Sequence, residues 1–232
     1  MQVYISNREI RQIAEGLLSV VFGQPPPVQI DIDAVARYLG LDVVYEIITE
    51  TDLDKIGFLS DGRSPLSVLR NGEQIQIIFP KDTIVLERFL LAPAEWTRRR
   101  FVLAHEIGHV LLNRADPLHC GACFDREYDE ARSYSLKELH ERMNLGECQA
   151  NAMGTFLLMP VGTLTEAVQR HFRQPQIPVY GDCVFLPTVK PALQALANEI
   201  GVSHTALLIQ LRKCGLLNAR PMQEYFERTA IP

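Results

Sequence analysis

The chain has 232 residues, 47% of them hydrophobic and 22% charged, a soluble globular composition long enough for one sizeable core plus an appendage. A net charge of −5 argues against a protein built mainly to hold nucleic acid. Met1–Ile10 lacks the basic start and apolar stretch of a signal peptide, and no apolar run approaches a membrane span. Five cysteines, an odd number without a secretory signal, point to thiols kept reduced in a cytosol, so the expected location is cytoplasmic.

Along Asn7 to Phe22, the residues Ile10, Ile13, Ala14, Leu17, Leu18 and Val21 fall on one side of a helix, which Gly23-Gln-Pro25-Pro26-Pro27 breaks. Asp31 or Asp33 caps a short helix that Gly40 closes, and Asp42 to Ile48 reads as a strand. A small antiparallel sheet is expected from Gly57–Leu59, Pro65–Arg70 and Glu73–Phe79, the last two joined by the hairpin signal Asn71-Gly72. Alternation of Gln74 and Gln76 with Ile75 and Ile77 is expected to turn one face of that sheet inward. Leu86 to Leu91 should lead into the next helix, with Pro93 in its first turn and Arg98-Arg99-Arg100 on a solvated face.

Phe101 to Leu112 is apolar on most sides yet contains His105, Glu106 and His109. At about 100° per residue, His105 and His109 project from one helix face, separated by about 40°. Two imidazoles placed so can both reach one metal ion at ~2.0–2.1 Å. Glu106, about 100° round from His105, can meet a water activated by that ion without ligating it. A helix apolar nearly all round is a buried one, where two imidazoles and a carboxylate without partners would cost several kcal/mol.

The stretch between this helix and the next carries His119-Cys120-Gly-Ala-Cys123, which lacks a second Cys pair for structural zinc and reads as a loop with two free thiols. Asp125 to Ser135 is acidic and polar, expected as a surface loop able to cover a cleft, and Ser135-Leu-Lys-Glu138 reads as a capping box. Tyr128, Tyr134, His119 and His140 on this insert are in place to stabilise an oxyanion, but each reads first as an ordinary surface residue and none is singled out.

A third metal ligand is sought in Gly146 to Pro160, a helix that Pro160 stops near Met159. Glu147 and Asn151 are four apart, flanked by Ala150 and Gly154, as Ala104 and Gly108 flank the His pair. Small residues on both surfaces would let the two backbones approach closely. The alternative for Glu147 is a helix-start charge, because Asn144-x-x-Glu147 also fits a capping box. Val161 to Phe172 reads as a helix, and Gln174 to Pro191 as irregular, with a strand at Val179-Tyr180 or Cys183–Phe185. Lys190–Ile200, Gly201-Val-Ser203 and His204–Lys213 then read as helix, turn, helix. Between Ser203 and Leu211 only Gln210 could meet a base edge, so a packing or substrate-orienting module is expected over a DNA reader.

The run RRRFVLAHEIGHVLLN, followed by ECQANAMGTFLLMP, resembles the ImmA/IrrE family of metallopeptidases over about Ile10 to Leu217. The resemblance implies an α+β, gluzincin-like metallopeptidase core at 1–160 with a helical, helix-turn-helix-like appendage at 161–232. It implies one Zn2+ held by His105, His109 and Glu147, with Glu106 as catalytic base. Asn151, one turn after Glu147, would buttress a ligand. The implied substrate is a partner helix-turn-helix repressor of a stress-response or mobile-element system. Asn113 stands where many members have a further His, and Glu147 comes 147 − 109 = 38 positions after His109, a long insert. Two other readings stay open: a non-cleaving regulator that docks its partner, and a DNA-binding regulator using the C-terminal helices.

Overall fold

Helix α1 (Asn7–Phe22) begins at a reciprocal cap: Ser6 Oγ accepts from Glu9 N, and Ser6 N donates to the Glu9 carboxylate. That carboxyl is held below its usual range by the Ser6 side chain and then the Ser6 backbone N–H. Its buried side carries Ile10, Ala14 and Leu18, the stripe expected from the spacing. Of the two candidate caps for α2 (Ile32–Tyr38), Asp31 is the one used, accepting from Ala34 N at 3.0 Å. The computed structural model describes residues 5–49, 55–115, 123–126 and 145–229.

Five strands follow: β1 (Asp42–Glu46), β2 (Lys55–Leu59), β3 (Leu66–Arg70), β4 (Glu73–Ile77) and β5 (Thr83–Glu87). A sixth, β6 (Cys123–Arg126), arrives after the next helix. The principal sheet is mixed, in the order β1-β5-β2-β6, with β1 parallel to β5 and β2 antiparallel to both its neighbours. This corrects the expectation of one antiparallel sheet. The strand β5 was not anticipated, although Thr83-Ile-Val-Leu-Glu87 is a β-branched run, and it inserts between β1 and β2.

The hairpin β3–β4 instead forms a layer of its own on the sheet. Phe58 and Val85 turn to the face where Leu66, Val68 and Phe79 pack, while Leu59, Ile84 and Leu86 join the core on the other face. Alternate residues of a strand point to opposite faces, so both faces of β2 and β5 are covered. Its turn is as expected: Asn71 and Gly72 both have positive φ, and Arg70 pairs with Glu73 across it. The inward face expected for β4 is largely missing, since Glu73 to Gln76 are exposed and Ile77 alone is half-buried. As the outer strand of a two-stranded ribbon, β4 leaves β3 to do the packing.

Two short 3-10 turns, Arg88–Leu91 and Pro93–Glu95, lead into α3 (Trp96–Ala115). From Arg100 to Leu112 nearly every side chain of α3 is buried, as an all-round apolar pattern requires. The helices α4 (Leu145–Leu158) and α5 (Val161–Phe172) meet at Pro160, which ends one and precedes the other. Next come β7 (Ile177–Tyr180), α6 (Lys190–Ile200), α7 (His204–Lys213), β8 (Leu217–Arg220) and α8 (Met222–Thr229). Strand β8, parallel to β7, and α8 were not anticipated. One apolar cluster runs from Ile10 through Val102 and Met153 to Leu164, Leu193 and Leu207, so the C-terminal helices share the core of the sheet and α3. No helix among the described residues is long and apolar enough to cross a membrane.

The triple arginine is not a solvated face. Arg98 lies 3.6 Å from Glu95 and over the Phe89 ring, while Arg99 donates twice to Asp33 and once to Tyr45 Oη. Arg100 is only 4% exposed and donates to Gly201 O at 2.9 Å, Ile30 O at 2.8 Å and Ile200 O at 3.2 Å, stacked over Trp96. The physical reason is the end of α6, whose last carbonyls need donors and find them in the guanidinium fork. Cys120, His119, Tyr128, Tyr134, the box at Ser135 and Glu138, His140 and Asn144 lie outside the described residues. Asp125 and Arg126 belong to β6 rather than to a surface loop. Replacing Arg100 with Met should cost about 2–4 kcal/mol in urea unfolding, since buried carbonyls lose their donors. Arg98→Met should stay within ~0.5 kcal/mol.

Candidate metal centre

The centre is assembled where α3 and α4 lie backbone to backbone. A Cβ added at Gly108 would sit 2.7 Å from Ala150 O, and one at Gly154 would sit 3.0 Å from the Ala104 carbonyl carbon and His105 N. A side chain at Gly108 would force the backbone apart and one at Gly154 would crowd it, so small residues meet at this contact. Ordinary helix pairs stay 8–10 Å apart. Here the small residues bring a carboxylate on α4 onto the imidazole pair of α3.

His105 Nε2 and His109 Nε2 are 2.9 Å apart, and Glu147 Oε2 lies 3.3 Å from the first and 3.4 Å from the second. Tetrahedral zinc with bonds of ~2.0–2.1 Å holds neighbouring donors about 3.3–3.5 Å apart, so the triangle needs to open by only a few tenths of an ångström on the His–His side. The Glu147 carboxylate faces both imidazoles. His105 and Glu106 are wholly buried and His109 nearly so, whereas the Glu147 side chain keeps 18% exposure.

Asn151 Oδ1 lies 3.0 Å from His105 Nδ1. An amide oxygen only accepts, so Nδ1 carries the proton, and in the neutral ring Nε2 keeps its lone pair toward the centre. Asn151 is itself braced on α4, where its carbonyl accepts from Thr155 Oγ1 at 2.7 Å. Burial works against the charge of Glu147, but the His105 and His109 imidazoles outweigh it and hold its carboxyl down at about 2. An ionised carboxylate and two imidazole nitrogens aimed at one point are a donor set that fits a divalent cation, which would displace the protons they share. Cys148, next in the chain, is largely exposed, and partial desolvation followed by the Glu147 charge pushes its thiol up.

Glu106 leans the other way, under strand β2. A Cβ on Gly57 would fall 2.4 Å from Glu106 Oε1 and 3.0 Å from Val102 Cγ1. This role of Gly57 escaped the sequence reading. Its signal was a glycine inside a strand, which often marks a close approach.

A buried helix carrying His-Glu-x-x-His, met by a carboxylate from a second helix, defines the metallopeptidase class that uses this motif. The profile of the peptidase M78 family, described as the IrrE N-terminal-like domain, matches residues 91–212, just over half of the chain. The chain belongs to that family. The match opens just before α3 and closes in α7, a narrower span than about Ile10 to Leu217. No curated protein matches. Membership makes the chain a peptidase and implies a metal, and His105, His109 and Glu147 form a group that could hold one. Removing the carboxylate with Glu147→Ala should lower metal retained after dialysis at least tenfold by elemental analysis, with the far-ultraviolet circular dichroism unchanged.

Proposed function

We propose that the protein is a zinc-dependent endopeptidase of the gluzincin type, with a metallopeptidase core at 1–160 and a helical, helix-turn-helix-like part at 161–232. His105, His109 and Glu147 hold the ion, Glu106 is the general base, and Asn151 orients His105. The observation that carries this reading is the triangle of donors at 2.9–3.4 Å, with the Asn151 contact leaving the His105 lone pair inward.

A divalent ion there supplies Lewis-acid chemistry, acidifying water and polarising a peptide carbonyl. Glu106, at the wall of the site beneath Gly57, takes a proton from the attacking water and passes it to the departing amine. Because α3 is buried on nearly all sides, the Glu106 carboxylate is shielded from bulk water. Asn151 and the packed α3–α4 backbones hold His105 and Glu147 in place while this happens.

The substrate we infer is a helix-turn-helix repressor, cut in the cytosol to relieve repression in a stress-response or mobile-element system. Support is indirect: the resemblance of the motif helices, and a C-terminal helix pair poorly suited to reading DNA itself. Among the residues of α7, Leu207, Gln210 and Leu211 are buried, leaving Thr205, Arg212 and Lys213 exposed. That set is too small for a recognition helix.

Glu106→Gln should reduce cleavage of casein, and of a co-expressed repressor, by at least about 100-fold, with metal content unchanged. If the repressor is inactivated just as well by the variant, the chain acts by docking rather than cutting. Gly57→Ala tests the strand contact. Its Cβ has no room beside Oε1, so kcat should fall at least about tenfold while the metal ligands stay loaded.

A further inference from the structure

An extended peptide that reaches Glu106 must lie level with Gly57, because the Glu106 carboxylate is pressed against that residue. Extended peptides dock by adding a strand to an open sheet edge. The hairpin edge at β4 is on the far face of the sheet, where β3 packs on Phe58 and Val85, away from α3. That leaves β2, which has two edges. One is bonded to β5 through the pairs Gly57–Leu86, Phe58–Val85 and Leu59–Ile84. The other carries β6, antiparallel, through Gly57–Asp125, Phe58–Phe124 and Leu59–Cys123.

Resting on the peptidase reading above, we infer that β6 occupies the substrate-pairing edge of β2, so that this strand is a built-in competitor of the substrate. Two features of the pairing favour an exchangeable occupant. The strand is four residues long and is the last of the sheet among the described residues, so few hydrogen bonds hold it. Its ladder is interrupted between Lys55 and Gly57, beside the glycine that covers Glu106, and a bulge weakens pairing where it occurs. Besides pairing with β2, β6 also comes against α3, the helix that carries Glu106. A longer extended segment makes the same ladder over more residues and displaces it. The corresponding substrate is a flexible, unfolded stretch of a partner protein rather than one of its helices.

The test uses the full-length, metal-loaded chain and a fluorescein-labelled peptide copying Gly121 to Tyr128. Fluorescence anisotropy compares wild type with the double substitution Phe124→Pro and Asp125→Pro, which removes strand N–H donors. A second chain with glycine at 123 to 126 serves if the proline chain does not fold. A β6 that fills its edge about nine-tenths of the time lowers apparent affinity about tenfold. The altered chains should therefore bind the peptide about tenfold more tightly, and their KM for unfolded casein should fall by a similar factor. Equal affinity in all chains overturns the inference, and so does weaker binding by the altered ones, which would make β6 the docking edge itself. Tighter peptide binding with casein left uncut would support the occupied edge and overturn the peptidase reading instead.

Discussion

Everything at this site follows from how near two helix axes can come. A glutamate side chain is short, and a carboxylate on α4 meets imidazoles on α3 only if the backbones touch. Ala104 and Gly108 on one helix and Ala150 and Gly154 on the other make that possible, since an added Cβ would come within 2.7 Å of Ala150 O at Gly108 and 3.0 Å of His105 N at Gly154. Tight backbone packing then positions Glu147 more firmly than hydrogen bonds alone, since interiors packed to crystal density resist displacement. The same contact carries Asn151 to His105, one turn after Glu147 on the same face of α4.

Burying polar groups this deeply has consequences beyond the centre. His105, Glu106 and Arg100 all lie inside α3, and each is matched to a specific counterpart: Asn151, the Gly57 wall and three carbonyls respectively. Arg99 extends the pattern with its paired bonds to Asp33 on α2. The N-terminal half of the motif helix is thus bolted to α2 and to the turn after α6, which ties the C-terminal helices into the body that carries the centre. Surface ion pairs contribute little to stability, but buried guanidinium contacts of this kind are costly to break.

Strand β2 joins the two halves of this design. One of its faces covers Glu106, its inner edge builds the sheet through β5, and its outer edge is where an extended backbone can add. A site that needs a substrate strand at the same edge where its own chain already pairs is poised between two similar ladders. Small differences in length and regularity then decide which one forms.

By itself, the chain's order of residues determined its local features: the bounds of α1 and α5 to within a residue, the Asn71-Gly72 turn, the Pro160 stop, and the small-residue faces around His105, His109 and Glu147. Each of these is governed by neighbours a few positions away, through periodicity, caps and backbone preference. The tertiary structure alone decided that β5 enters between β1 and β2, that β4 stays exposed, that Arg100 turns inward, and that Gly57 roofs Glu106. Those outcomes depend on which surfaces meet across long stretches of chain. A run of arginines or a lone strand glycine looks the same whether it faces water or a carbonyl, and only packing distinguishes the two.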